Sequence, residues 1–316
     1  MGSLDPGKCG IEAIVVDNGE DEQHLAAAEK LAGVKVIRPD RNLGFAGGCN
    51  LGANRASGDS LVFMNQDTIT EPAAVARLIA VLEDPTVGIA TARLRLLEHP
   101  ELLNSSGTVM HLSGLAWAGD YREPADSLRE LREAPFPSGA AMALRADVFA
   151  DLGRFTEELF MYCEDLELGW RARLRGLRIV VSPAADVLHE YEFDRNPQKQ
   201  YLLERNRLIL VISGYPGRLL LVLAPLLVCA EVGLLMLAVK EGWAGAKLRG
   251  WGWCLRHPRW LVGHRRQTQR LRRVPVRDAA SFLTPVIDTK VLELPRLVTL
   301  ANRLMSRYWS FARLAL

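Results

Sequence analysis

Residues 60–68 read Ser-Leu-Val-Phe-Met-Asn-Gln-Asp-Thr, a short apolar run closed by an amide-rich turn and an acid. A run of this length, Ser60–Met64, bounded by turn formers reads as a buried strand that delivers Asp67 at its carboxyl end. The same construction occurs upstream, where the apolar, β-branched run Ile11–Val16 ends at Asp17-Asn18-Gly19. Between the two lie a helix predicted over Glu20–Leu31, a strand over Val34–Ile37, a loop over Pro39–Phe45 and a helix over Gly47–Ala56. Downstream follow a helix at Ala73–Glu83 and a strand at Val87–Arg95. Strands and helices alternating in units of this size predict an α/β domain with a mainly parallel sheet flanked by helices. Ligands of open α/β sheets bind at the carboxyl ends of the strands, so Asp17 and Asp67 are expected on one rim. One such acid alone can be no more than a helix cap or turn former; two on one rim point to a ligand.

The loop Arg41-Asn42-Leu43-Gly44-Phe45-Ala46-Gly47-Gly48-Cys49-Asn50 is glycine-rich and opens a helix. Such a loop either brings backbone N–H groups close to phosphates or makes a tight turn for helix–sheet packing. It fits neither GxGxxG nor the P-loop, so dinucleotide or ATP binding gains no support. After an irregular region over 96–137, a strand is expected at Gly139–Leu144 and a helix at Ala146–Leu152. The aromatic run Phe160-Met161-Tyr162 then leads into Glu164-Asp165 at the start of a helix expected over Asp165–Leu174. Acids in a first turn complement the helix dipole, and a carboxylate beside apolar walls is also how a general base is tuned. A strand at Leu177–Val181 precedes His189, a side chain that can be structural or can join carboxylates on a hard divalent cation.

The 316 residues are 49% hydrophobic and 24% charged, which excludes global disorder. Five well-separated cysteines, none in a CxxC pair, predict neither a disulfide framework nor a cysteine zinc site and fit a reducing compartment. The opening residues MGSLDPGKCG hold no apolar run, so no secretory leader is expected there. The formal net charge is +2, yet residues 240–273 alone carry ten Lys/Arg against Glu241. Before them, Leu219–Val239 is 21 residues with one acid and no base, long enough to span a bilayer. A core helical hairpin would give the same pattern. The basic flank with Trp243, Trp251, Trp253 and Trp260 favours a membrane-associated segment held against anionic lipid at the cytoplasmic face. No nucleic-acid-binding motif accompanies these charges. The expected domains are 1–206, catalytic in character, and 207–316, helical and membrane-associated.

Taken in order, VVDNG, RNLGFAGGCNLG, VFMNQDT, PSGAAMALRADVF, GRFTEELFMYCEDLELGWRARLRG and PAADVLHE resemble family 2 glycosyltransferases, and within them the rhamnosyltransferase-like enzymes of bacterial cell-envelope polysaccharides. The resemblance covers residues 11 to about 210. It implies a GT-A fold and an inverting, metal-dependent transfer from a UDP- or dTDP-sugar donor, dTDP-rhamnose among the candidates, to a hydroxyl of a glycan or lipid-linked acceptor. Asp17, Asn18, Asn42, Gly44, Phe45, Asn50 and Asn65 would then face the donor, with Asn65 in place of the first acid of the family's DxD motif. Asp67 and His189 would hold Mg²⁺ or Mn²⁺, and Asp165, with Glu164 as its alternative, would be the general base. Family members begin with a further strand, loop and helix before the run matching Ile11–Val16, and here only ten residues precede it. The expectation is that the true start lies upstream, since two neighbouring strands otherwise lose ladder partners. An impaired, membrane-associated nucleotide-sugar-binding relative and a metal-using nucleotidyltransferase are the competing readings.

Overall fold

The computed structural model describes residues 10–19, 26, 28–190, 196–288 and 295–316. The helix expected over Glu20–Leu31 falls mostly outside them. The chain divides into two units. The first comprises the described residues up to Gly107, Ala118–Ala172 and those from Leu177 to 190; the second comprises Thr108–Trp117, Arg173–Gly176 and the described residues from 196 onward.

In the first unit, strands β1 (Ala13–Val16) and β2 (Val34–Ile37) pair in parallel. Helix α1 (Gly44–Arg55) leads to β3 (Ser60–Met64), β4 (Thr68–Thr70), α2 (Pro72–Ala80) and β5 (Val87–Leu96). After β6 (Leu103–Ser105) come β9 (Arg132–Glu133), β10 (Ala141–Arg145), α3 (Ala146–Asp151), α4 (Glu164–Arg175) and the long β11 (Arg178–His189). The main sheet has seven strands in the order β3-β10-β5-β11-β4, with β6 added to β5 and β9 to β11. It is mixed rather than mainly parallel: only β5–β11 is a parallel ladder. The sequence does not distinguish the two arrangements here, because a strand buried on both faces reads apolar in either.

Among the described residues no ladder joins β1 to the main sheet, and β3 pairs on one side only, with β10. What bridges them is α1. Its Gly48 and Gly52 lie against Val16 and Ile14 of β1, while Phe45, Ala46, Cys49 and Ala53 pack with Leu61 and Phe63 of β3.

Strand β11 runs eight residues past the Val181 end expected from sequence. The register slips between Ser182 and Asp186, so Pro183, which has no N–H to donate, sits in a bulge instead of ending the strand. Beyond the bulge, Asp186 is paired with Arg93 and Arg95 of β5, and the strand continues to His189.

The second unit holds β7 (Thr108–His111), β8 (Ala116–Ala118), helices α5 (Pro197–Gly214), α6 (Gly217–Lys240), α7 (Ala244–Arg256), α8 (Pro258–Arg270) and α9 (Val276–Ala280), β12 (Leu283–Thr284) and α10 (Pro295–Ala312). The boundary expected near 206 is thus displaced, and residues 108–117 join the C-terminal helices. Leu112 N–H donates to Thr284 O at 3.0 Å, Arg207 donates to Ser113 O at 3.0 Å and the Tyr215 hydroxyl donates to Leu112 O at 3.2 Å.

The core of the first unit contains Phe63, Phe149 and Phe155, whose ring centroids lie 5.0–5.3 Å apart. Phe149 is 2% exposed. Phe149→Ala should therefore cost about 3–5 kcal/mol, the range for emptying a buried aromatic site, read as a lowered midpoint in urea unfolding.

Candidate active site

Asp67 and His189 are 122 residues apart in sequence and adjacent in space because of one antiparallel ladder. β4 pairs with the end of β11, His189 opposite Thr68, and Glu190 N–H donates to Asp67 O at 2.9 Å. His189 Nε2 lies 3.3 Å from Asp67 Oδ1. The other ring nitrogen, Nδ1, is 2.9 Å from Asn104 Oδ1 on β6. An amide oxygen only accepts, so Nδ1 carries the proton. Nε2 faces the Asp67 carboxylate, an arrangement that needs a proton on Nε2 or a cation between the two groups. The His189 ring, together with the Asn65 side chain, holds Asp67 below the usual carboxylate range. His189 is 9% and Asp67 42% exposed, so the acid faces outward from a buried, oriented histidine. The donor set is one carboxylate and one imidazole. Among the described residues no third His, Cys, Asp or Glu joins them. Such a pair suits a hard divalent cation that fills its remaining positions with phosphate and water oxygens.

The glycine-rich loop is tied down from both sides. Asn18 accepts from Leu43 N–H at 3.0 Å and donates to Gly44 O at 2.8 Å, and Asn42 accepts from Gly44 N–H at 2.8 Å. Gly44 has φ +67°, and a Cβ there would collide with the Phe160 carbonyl and ring, so only glycine fits. Ala46 N–H donates to Phe160 O at 3.1 Å. Phe160 is itself the centre of a γ-turn, with φ 64° and ψ −63°, closed by Met161 N–H to Leu159 O at 2.7 Å. This is the rare, strained hand of that turn. Tyr162 (φ 70°) and Cys163 (φ 66°) follow in the left-handed region. Three non-glycine residues in such backbone mark a segment whose geometry the surroundings enforce, as at ligand sites.

The strained segment ends at Glu164-Asp165. Asp165 Oδ2 accepts from Gly139 N–H and Oδ1 from Leu166 N–H, both at 2.7 Å. Burial raises the Asp165 carboxyl above its ordinary range, outweighing the backbone N–H groups of Gly139, Leu166 and Asp165 itself, which pull it down. Glu164 is 6% exposed, and its Oε2 has no hydrogen-bond partner. Burial, with the neighbouring Asp165 adding repulsion, raises it well above the usual range. Two adjacent carboxyls thus differ in environment: one aimed by backbone donors, one enclosed.

Phe45 and Asn50 are placed differently from a donor-facing role. Phe45 stacks edge-on to Phe155 at 5.9 Å in the core. Asn50, 4% exposed, accepts from Phe155 N–H and donates to Phe155 O and to Glu157, so its amide is committed to holding the 155–157 segment. Asp17 accepts from Gly19 N–H at 2.9 Å at the end of β1. It does not share a sheet rim with Asp67, since β1 lies outside the main sheet. Asn104, which orients His189, and Gly139, which aims Asp165, carry no chemical signal in sequence; each is defined only by the strand that brings it in.

Residues 7–153 match the family described as glycosyl transferase family 2. Over those residues, somewhat under half its length, the chain is similar to that family. Its relatives include the O-antigen biosynthesis protein RfbC of Myxococcus xanthus, 28% identical over 49% of this chain and 13% of that protein. The N-acetylglucosaminyl-diphospho-decaprenol L-rhamnosyltransferase of Mycobacterium tuberculosis is 25% identical over 57% of this chain and 66% of the other. The chain thus spans less than two thirds of the length of these relatives. The first unit's architecture is the GT-A fold. The structure of GalNAc-T7 with UDP, GalNAc and Mn²⁺ superimposes with a TM-score of 0.54 at 19% identity, covering 65% of this chain and 42% of that one.

Glu164 binds its proton more tightly folded than unfolded. Stability is therefore lost as the pH rises above the unfolded carboxyl's value, about 4.3. Glu164→Gln removes that loss. The variant should be more stable than the parent at neutral pH, with the gap closing toward pH 4, as read by denaturant unfolding at several pH values.

Proposed function

We propose that this family 2-like domain transfers a sugar, with inversion, from a UDP- or dTDP-sugar to a hydroxyl of a cell-envelope glycan or lipid-linked acceptor. The observation that carries the reading is the pairing of an outward-facing Asp67, backed by an oriented His189, with a backbone-aimed Asp165 whose affinity for a proton is raised. A nucleoside diphosphate leaves as an anion, so its departure needs positive charge and hydrogen-bond donors at the phosphates. Asp67 and His189 would hold the Mg²⁺ or Mn²⁺ that supplies this charge. GalNAc-T7, whose structure contains Mn²⁺ together with UDP, supports the choice of cofactor and donor class, and the Mycobacterium tuberculosis rhamnosyltransferase, named for a diphospho-decaprenol acceptor, supports a lipid-linked acceptor.

Inversion needs one base opposite the leaving group and no enzyme nucleophile. Asp165 fits that task better than Glu164. Its two oxygens are fixed by Gly139 and Leu166, and burial gives it a basicity above that of an exposed carboxylate. Glu164 is enclosed and suited to staying neutral. The acceptor hydroxyl would give its proton to Asp165 as its oxygen attacks the anomeric carbon and the bond to the diphosphate breaks. Asn18 and Asn42 hold the Gly44 turn, and through it they would position the donor.

Two variants separate these roles. Asp67→Ala removes an exposed charge and should abolish the Mn²⁺ dependence of UDP or dTDP binding while the chain stays folded. Titration with and without Mn²⁺ reads this, and unchanged metal dependence would remove Asp67 from the site. Asp165→Asn keeps size and hydrogen bonding but not basicity. Turnover should fall by about 10²–10⁴ with donor affinity little changed. Near-normal turnover in Asp165→Asn with loss in Glu164→Gln would move the base to the neighbour.

A further inference from the structure

The exposed apolar surface is concentrated in the second unit. Fourteen of the 17 large hydrophobic side chains exposed among the described residues belong to it. On α6, Leu221, Val228, Val232, Met236 and Val239 are 54–76% exposed, and their spacings of seven, four, four and three place them on one helix face. The opposite face carries the buried Leu219, Leu223 and Leu226. On α10, Leu300, Leu304 and Phe311 are 56%, 59% and 75% exposed, and Leu314, in the turn that follows it, is 80% exposed. The two helices touch, with the Tyr308 hydroxyl donating to Val222 O. Large apolar side chains exposed on two touching helices mark an interaction surface.

What covers it is indicated by the charges. The exposed Arg303 and Arg307 fall on the same face of α10 as Leu300, Leu304 and Phe311. Neither α10 nor its last residues to Leu316 contain an acid, and the one acid of α6, Glu231, is turned inward. Arginines interleaved with large apolar side chains, with further exposed arginines on α7 and α8 such as Arg256 and Arg266, suit an anionic lipid surface. There the apolar groups enter the acyl boundary and the guanidinium groups stay at the headgroups.

Helix α6 alone among the described helices is long and apolar enough to cross a bilayer, yet its partners oppose that. Glu231, near its middle, accepts from Arg207 of α5 at 2.5 Å and from Lys247 and Trp251 of α7 at 3.0 and 2.9 Å. Lys247 is fully buried and also donates to Glu204 of α5 at 2.6 Å. If α6 spanned the membrane, this cluster would lie near the bilayer centre. It would hold α5 and α7, neither apolar enough to cross, at the same depth, where charges are costly. The cluster instead fastens the inward side of α6 to charged helices and leaves its other side bare. We infer that α6 and α10 together form a one-leaflet anchor that lies in the plane of an anionic membrane without crossing it.

Two measurements on the full chain test this. In the first, the protein is floated with phosphatidylcholine vesicles containing phosphatidylglycerol. It should float and stay bound in high salt, and Val228→Asp with Met236→Asp, both at exposed positions, should lower the bound fraction on the order of tenfold or more. In the second, Arg218→Cys and Lys240→Cys, at the two ends of α6, are each placed in a Cys229→Ser background. Spheroplasts are then treated with a membrane-impermeant maleimide. Neither end should label in intact spheroplasts, and both should label after lysis. Labelling of either end in intact spheroplasts would show a span and overturn the inference. So would release by salt alone, which means surface electrostatics only, or a failure to float with a discrete dimer in solution, which means that a second copy covers the patch.

Discussion

The arrangement of the first unit depends on one docking contact, the Ala46 N–H donated to the carbonyl of Phe160. That carbonyl is presented by a γ-turn in a strained hand, and it meets the loop at a residue that must be glycine. The contact does two things at once. It closes the glycine-rich turn that Asn18 and Asn42 hold from the other side, and it fixes where the chain enters α4, hence where Glu164 and Asp165 point. Strain in the 160–163 backbone costs on the order of 1–3 kcal/mol per residue, which the surrounding aromatic core and the α4 packing offset. A segment held this way is preorganised: its carboxyls need not search for their geometry.

Around that contact, two carboxyl environments diverge by position alone. Glu164 is enclosed against Cys49, whose thiol burial and the Glu164 charge both push upward, so neither group is suited to ionise there. Asp165, one residue on, reaches the backbone N–H of Gly139 and stays aimed. A third acid, Asp67, is outward and lowered by His189. Acids with proton affinities set apart by their surroundings are what a site needs to separate charge-holding from proton-taking.

Much of this is readable in the sequence. β2 and β3 fall on the runs that predict them, and the acid that follows Ser60–Met64 is the partner of His189. The rest is hidden for identifiable reasons. Pro183 reads as a strand end because a proline without an N–H usually is one; the bulge that absorbs it depends on β5, far away in sequence. Asn50 reads as ligand-facing in a glycine-rich loop, but helix periodicity turns it inward to Phe155. Residues 108–117 read as irregular because their partners, Thr284 and Arg207, come much later in the chain. The mixed direction of the sheet is invisible because burial on both faces erases the pattern that would tell parallel from antiparallel. Leu219–Val239 is plainly apolar, but whether it crosses a membrane turns on Glu231 having partners on two other helices, which no window of sequence displays.

Asp67 and His189, joined by the β4–β11 ladder, form the metal end of the proposed nucleotide-sugar site. Anomalous diffraction at the manganese edge, from crystals of this protein grown with UDP and Mn²⁺, puts that assignment at risk in one step. A manganese peak is expected in contact with both Asp67 Oδ1 and His189 Nε2, with the diphosphate on its open side. A peak at any other set of side chains, or UDP bound with no manganese beside this pair, would contradict it.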